Sequence, residues 1–180
     1  MPRKLVSTAA AVALLAGAAG LSATDGQAAH HKKADSATAQ MHDRDGNSVG
    51  TVKLTRTPHG TLLHARLAFM PPGAHAFHVH GVGTCEPPFK SAGGHYNPEG
   101  SGHGLSDDDG MHVGDMPNIH VPNSGVLEIE VLNTRLDLDE NLFDDDGAAI
   151  VIHDGPDDYE ANPAGAAGPR IACGVIEKDS

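Results

Sequence analysis

Short stretches of this chain alternate apolar and polar residues one by one, and none carries the spacing of a convincing amphipathic helix. In "GTVKLTR" Val52 and Leu54 share one face, and Thr51, Lys53 and Thr55 share the other. "TLLHARLAF" repeats the pattern after the turn "TPHG". "HAFHVH" sets His75, Phe77 and Val79 against His78 and His80. "GVLEIEVLN" sets Leu127, Ile129 and Val131 against Glu128 and Glu130, and "AAIVIH" and "RIACGVI" complete the set. Period-two alternation broken by turn residues predicts an antiparallel sandwich or barrel. Aromatics make up only 3% of the chain and Trp is absent, so Val, Leu, Ile and Ala must fill the core.

Two stretches break the rhythm. Residues 81–118 are rich in Gly and His, and residues 154–168, "DGPDDYEANPAGAAG", form a second gap. Loops this long in a compact domain carry function or are disordered, and the histidines favour function for the first.

The first residues do not read as fold. Arg3 and Lys4 precede the apolar run "LVSTAAAVALLAGAAGL", and small residues follow, with "GQA" ending at Ala28. This is the layout of a secretory signal peptide over residues 1–28. The run is Ala-rich and barely long enough to span a bilayer, which disfavours a transmembrane anchor. Residues 29–40, "AHHKKADSATAQ", read as a flexible polar arm, and residues 41–180 as one domain. A domain of that size buries roughly 68–70% of its unfolded surface.

Formal net charge is -12, and removing residues 1–28 takes away Arg3, Lys4 and Asp25, leaving -13. Nucleic acid and anionic membrane are therefore poor partners. Cys85 and Cys173 are the two cysteines of a chain marked for export, and an even pair in an oxidising compartment reads as one disulfide. It would close a loop of about 88 residues, for which the chain-entropy model gives roughly 4–5 kcal/mol.

The histidines carry the chemistry. His78 and His80 are two apart on a strand and leave the same face. His95 follows Gly93 and Gly94 in "SAGGHYNP", His103 lies in "GHG", and His112 and Asp115 are three apart in "HVGD". His153 ends "AIVIH" opposite Ile150 and Ile152, so it can share the face of His78 and His80. Singly, each residue also fits ordinary strand or loop polarity. Together they are six histidines and one aspartate, more than the four ligands of one ion. Two metals sharing a ligand is the reading that follows. An all-imidazole set suits copper, and three histidines with one carboxylate suit zinc. His30 and His31 belong to the arm, His42, His59, His64 and His120 read as surface or structural residues, and His75 as an inward hydrogen-bonder near the site.

"GAHAFHVHGVGTC", "KSAGGHYNP", "HVGDMPNI", "LFDDDGAAIVIH", "DDY" and "AAGPRIACGVI" together resemble, in order, the copper/zinc superoxide dismutases of the bacterial, exported type. The resemblance runs from about Met41 to Ile176. It implies an all-β Greek-key barrel or sandwich, immunoglobulin-like, with two long loops over the metal site. It implies His78, His80, His95 and His153 as copper ligands, and His95, His103, His112 and Asp115 as zinc ligands, His95 being shared. Cys85 and Cys173 correspond to the family disulfide. Arg170 corresponds to the arginine that attracts the anionic substrate beside copper, and Asp157 to the aspartate that orients a copper-side and a zinc-side histidine. Two features depart from the pattern. Ala76 replaces a usual Gly, and residues 154–168 contain no lysine, so Lys90 is the expected steering residue.

The implied reaction converts two superoxide anions and two protons into oxygen and hydrogen peroxide, with His95 carrying a proton. Superoxide is then the partner, the protein is periplasmic or secreted with no stable membrane span after signal removal, and a homodimer is compatible with the reading. The alternative is a copper-binding or copper-storage module on the same fold without dismutase activity, which would not need Arg170. A zinc hydrolase would need an open zinc position, whereas this zinc set is closed.

Overall fold

The computed structural model describes residue 1, residues 33–108 and residues 110–180. Apart from Met1, the expected signal peptide and the first part of the polar arm lie outside the described residues. The arm ends sooner than its sequence predicts. Strand β1 spans Ser36–Asp43, with Ala37 and Ala39 fully buried. The small residues of "SATAQ" look like arm composition, but their alternate positions pack inward and their backbone pairs on both sides.

The strands continue as β2 (Ser48–Thr57), β3 (Gly60–Leu67), β4 (Gly73–His75), β5 (Phe77–His80), β6 (Ile119–Val121), β7 (Leu127–Asn133), β8 (Ala149–His153) and β9 (Arg170–Lys178). Seven of them form one antiparallel sheet in the order β5-β8-β9-β1-β2-β3-β7, and β4 pairs with β6 apart from it. The out-of-sequence neighbours, β7 beside β3 and β9 beside β1, require the crossing connections of a Greek key. The only helix among the described residues is one 3-10 turn, Lys90–Ala92. None is long and apolar enough to cross a membrane.

The alternation in the sequence becomes the core. Val52, Leu54, Leu63, Ala65, Phe77, Val79, Ile150 and Ile152 form one buried cluster. The opposite face of β8, Ala149 and Val151, packs under Phe89, Ala92 and Cys173. The loop that carries Cys85 thus lies over a strand face that would otherwise meet water. All five residues of β8 are buried, as are all four of β5. This is why His78, His80 and His153, which point away from the main core, are shielded from solvent.

"HAFHVH" is not one strand. It breaks at Ala76, whose N–H donates to Gly155 and whose carbonyl accepts from His153. His75 therefore sits in β4 and His78 in β5, and Ala76 fits fully buried between them. A third long connection, residues 134–148, also seals the core with Leu136, Leu138 and Leu142. It alternates like a strand, but Asn133 and Asp139 cap its backbone N–H groups in turns, and among the described residues no strand ladder includes residues 134–147.

Candidate metal centre

Two groups of donors meet beneath the long loops. His78, His80, His95 and His153 each offer a ring nitrogen to one group, and His95, His103, His112 and Asp115 form the other. Within each group all donor atoms lie within 4.8 Å of one another. Every residue predicted from the sequence as a ligand is in one of them, and His95 is in both.

The hydrogen bonds define which nitrogen is free. His80 donates from Nδ1 to the Gly93 carbonyl at 3.0 Å, and His153 donates from Nδ1 to the Gly168 carbonyl at 3.2 Å. A carbonyl only accepts, so the proton sits on Nδ1 and Nε2 keeps its lone pair. His78 and His103 bond instead through Nε2 to the two carboxylate oxygens of Asp157, at 2.8 and 3.1 Å. Their Nδ1 atoms are the free ones. The buried nitrogens without a hydrogen-bond partner are His78 Nδ1, His80 Nε2, His95 Nε2, His103 Nδ1 and His153 Nε2. Buried polar atoms are normally satisfied, so five inward-facing lone pairs in one place call for a cation.

Residues 95, 103, 112 and 115 fit zinc. His95 Nδ1 lies 2.7 Å from Asp115 Oδ1 and 3.4 Å from His112 Nδ1. His112 Nδ1 lies 3.3 Å from Asp115 Oδ1, and His103 Nδ1 lies 3.1 Å from Asp115 Oδ2 without a hydrogen bond. A tetrahedron of nitrogens about 2.0–2.1 Å from zinc has edges of roughly 3.3–3.4 Å, so two of these four spacings match such an edge and the other two are shorter. The other set is all imidazole, which suits copper.

Electrostatics prepares both sets. Burial and the neighbouring His78 hold the His153 imidazole down at about 3. Burial, His95 and Arg170 lower His80 in the same way. Both therefore present neutral nitrogens at neutral pH, with little competition from protons. Burial alone would raise the carboxyls. The hydrogen bonds from His78, the Tyr159 N–H and His103 nevertheless bring Asp157 down to about 2. The His95 bond and the Gly104 N–H pull Asp115 well below the usual carboxylate range. Both stay anionic and offset the charge of incoming cations.

Arg170, half-buried at the start of β9, donates from Nη1 to the Phe89 carbonyl at 2.5 Å and from Nη2 to the Gly93 carbonyl at 2.6 Å. Gly93 O thus accepts from both Arg170 and His80. Lys90 is exposed beside Phe89, at the start of the 3-10 turn. Cys85 and Cys173 form a disulfide, Cα to Cα 5.7 Å. It ties the loop bearing Phe89 and Gly93 to the strand bearing Arg170. His75 joins the site indirectly, its Nδ1 2.9 Å from the His153 carbonyl and its Nε2 2.9 Å from the Pro71 carbonyl.

Cys85→Ser should therefore lower stability by about 3–5 kcal/mol. At about 2–4 °C per kcal/mol for a domain of this size, the melting temperature should fall by roughly 6–20 °C. Differential scanning calorimetry checks this, and an unchanged melting temperature would contradict it.

The residues that composition and spacing missed act mostly through their backbones. Gly93, Phe89 and Gly168 contribute carbonyls, which any residue carries; Gly93 and Gly168 lie inside "KSAGGHYNP" and "AAGPRIACGVI", but those motifs do not mark what a carbonyl accepts. Asn118 braces Asp157 from both sides, accepting from its N–H and donating to its carbonyl. Its place inside "HVGDMPNI" was the available signal. His42, His59 and His120 are exposed, and His64 pairs with Glu128 on the outer sheet face.

A family model described as "Copper/zinc superoxide dismutase (SODC)" matches residues 48–176. A superoxide dismutase [Cu-Zn] 1 from Aquifex aeolicus is 46% identical over 145 residues, 77% of this chain and 86% of that protein. The superoxide dismutase [Cu-Zn] of Caulobacter vibrioides is 42% identical over 149 residues, 79% and 86% of the two chains. Among solved structures, a double mutant of a SOD-like protein from Bacillus subtilis superimposes with a TM-score of 0.72 at 34% identity, covering 77% of this chain and 95% of that one. The Cu/Zn superoxide dismutase from Brucella abortus gives 0.67 at 31% identity, covering 79% and 99%.

Proposed function

Because the chain belongs to the copper/zinc superoxide dismutase family, we propose a division of its donor atoms between the two ions. The protein is an oxidoreductase that converts superoxide into oxygen and hydrogen peroxide, with copper and zinc as its metals. Nδ1 of His78 and Nε2 of His80, His95 and His153 would hold copper. Nδ1 of His95, His103 and His112, with the Asp115 carboxylate, would hold zinc. Copper supplies one-electron redox chemistry, and zinc supplies none.

The chain's own groups do the rest. Asp157 orients one imidazole of each set through its two oxygens. His95 has donors on both sides of its ring, and it holds a proton at Nε2 when that atom is free and releases it toward the product. Gly93 and Gly168 fix the tautomers of His80 and His153. The five converging lone pairs carry this reading. Its test is metal content: the loaded protein should carry about one copper and one zinc per chain, and a single ion per chain would overturn the division.

The protein is acidic and its substrate is an anion, so attraction must be local. Arg170 and Lys90 supply it, because a cleft with low-dielectric walls focuses nearby charge. Arg170→Glu should lower the dismutation rate about tenfold or more with both metals bound. Lys90→Glu should lower it less, since an exposed lysine acts through screened solvent. Added salt should slow the wild type more than either variant. Equal salt slopes in the three proteins would mean that neither residue guides superoxide.

The disulfide fits an oxidising compartment. We place the protein in the periplasm or outside the cell after removal of residues 1–28, and an intact mass of the exported protein still including them would refute this.

A further inference from the structure

Arg44 stands in the turn between β1 and β2, in sequence an ordinary exposed cation. The turn is closed without it. Asp43 accepts from the N–H groups of Asp45 and Asn47 and from the Asn47 amide, and its carbonyl accepts from Gly46. The Arg44 side chain reaches out of the turn instead. Its Nε donates to the backbone carbonyl of Arg170 at 2.7 Å, across 126 positions of sequence.

That carbonyl is in a place where the sheet is irregular. Ile152 pairs with Ala172, but His153 pairs with Arg170, so Ile171 is the extra residue of a bulge. Bulges disrupt the ladder locally and re-aim the side chains beside them. Here the re-aimed side chain is the guanidinium that bonds Phe89 and Gly93. Arg170 is therefore held at both ends: at its tip by the disulfide loop, and at its backbone by Arg44.

Resting on the reading of Arg170 as the residue that receives superoxide, we propose that Arg44 is a positioning residue for it. The hydrogen bond to the Arg170 carbonyl fixes the bulge from which the guanidinium is aimed. Arg44 acts on the anion only through Arg170. Its planar guanidinium suits the task, since the donor direction at Nε is rigid where a lysine would offer a rotating point charge.

The test is a double-mutant cycle in the copper- and zinc-loaded protein. Azide serves as the probe, a singly charged anion that ligates cupric copper and changes its visible absorption. Arg170→Ala should weaken azide binding. Arg44→Ala should weaken it by about fivefold, the worth of one hydrogen bond, and lower kcat/KM for superoxide by a similar factor with both metals retained. In the Arg170→Ala background, Arg44→Ala should change azide affinity no further. An equal loss in both backgrounds would mean that Arg44 acts by its own charge, and no loss in either would mean that it does not act; both overturn the proposal. No effect of Arg170→Ala on azide would overturn the reading of Arg170 itself, and it shows before Arg44 is altered.

Discussion

Replacing His95 by alanine will remove copper and zinc together, whereas His112→Ala will remove zinc first. His95 is the one residue with a donor in both groups. Its Nδ1 faces Asp115 and His112, and its Nε2 is the unpartnered atom of the imidazole set. Without it each group keeps three donors. Losing only an outer hydrogen-bond partner of a metal ligand costs about 10–100-fold in affinity or activity. Losing a shared ligand should exceed that at both positions, so dismutation should fall by more than about a hundredfold. Elemental analysis after dialysis, beside a superoxide assay, reads both effects. A His95→Ala protein with full copper and zinc would refute the bridge. His59→Ala, which alters an exposed turn residue, should change neither reading.

A second large effect should come from a residue with no functional group. A methyl added at Gly165 would lie 1.8 Å from Asp157 Oδ1, 2.4 Å from its carboxyl carbon and 2.8 Å from His103 Nε2. Those distances are impossible, so the carboxylate must move. It would leave the hydrogen bonds that hold His78 and His103, one residue from each metal set. Gly165→Ala should therefore weaken copper and zinc together, each by about 10–100-fold. Gly165 also has a φ of +63°, which costs a side chain about 1–2 kcal/mol. Gly100 separates the two causes. Its φ is +68° with no atom within 4 Å of an added methyl. Gly100→Ala should lose comparable stability and keep both metals. Competition with a chelator of known affinity makes the comparison. Wild-type affinity in Gly165→Ala would show that Asp157 does not orient the ligands.

The contrast between His95 and Gly165 marks what a linear chain discloses. His78 and His80 could be placed on one face because strand side chains alternate, and Ile150 and Ile152 gave His153 its direction in the same way. Six histidines and Asp115 exceeded one ion's needs, so the sharing of a ligand could be inferred before any geometry. Arg170 and Asp157 are legible only through family resemblance; a lone arginine and one aspartate among many carry no spacing signal. Gly93, Phe89 and Gly168 were silent, because what they contribute is a carbonyl. The break at Ala76 was hidden because alternation continues through it, while the hydrogen bonds to Gly155 and His153 that cause it come from distant positions. Residues 36–40 were hidden for the opposite reason. Small polar composition looked like an arm, and only pairing with β2 and β9 makes it a strand. Residues 134–148 alternate without pairing, since Asn133 and Asp139 commit the backbone to turns first.

Whether the His95 imidazole joins two different ions is decided by crystals of the metal-loaded protein measured on both sides of the copper and zinc absorption edges. Two anomalous peaks are predicted, copper among His78, His80, His95 and His153, and zinc among His95, His103, His112 and Asp115, with the His95 ring between them. A single peak, or two peaks with His95 bound to only one, would contradict it.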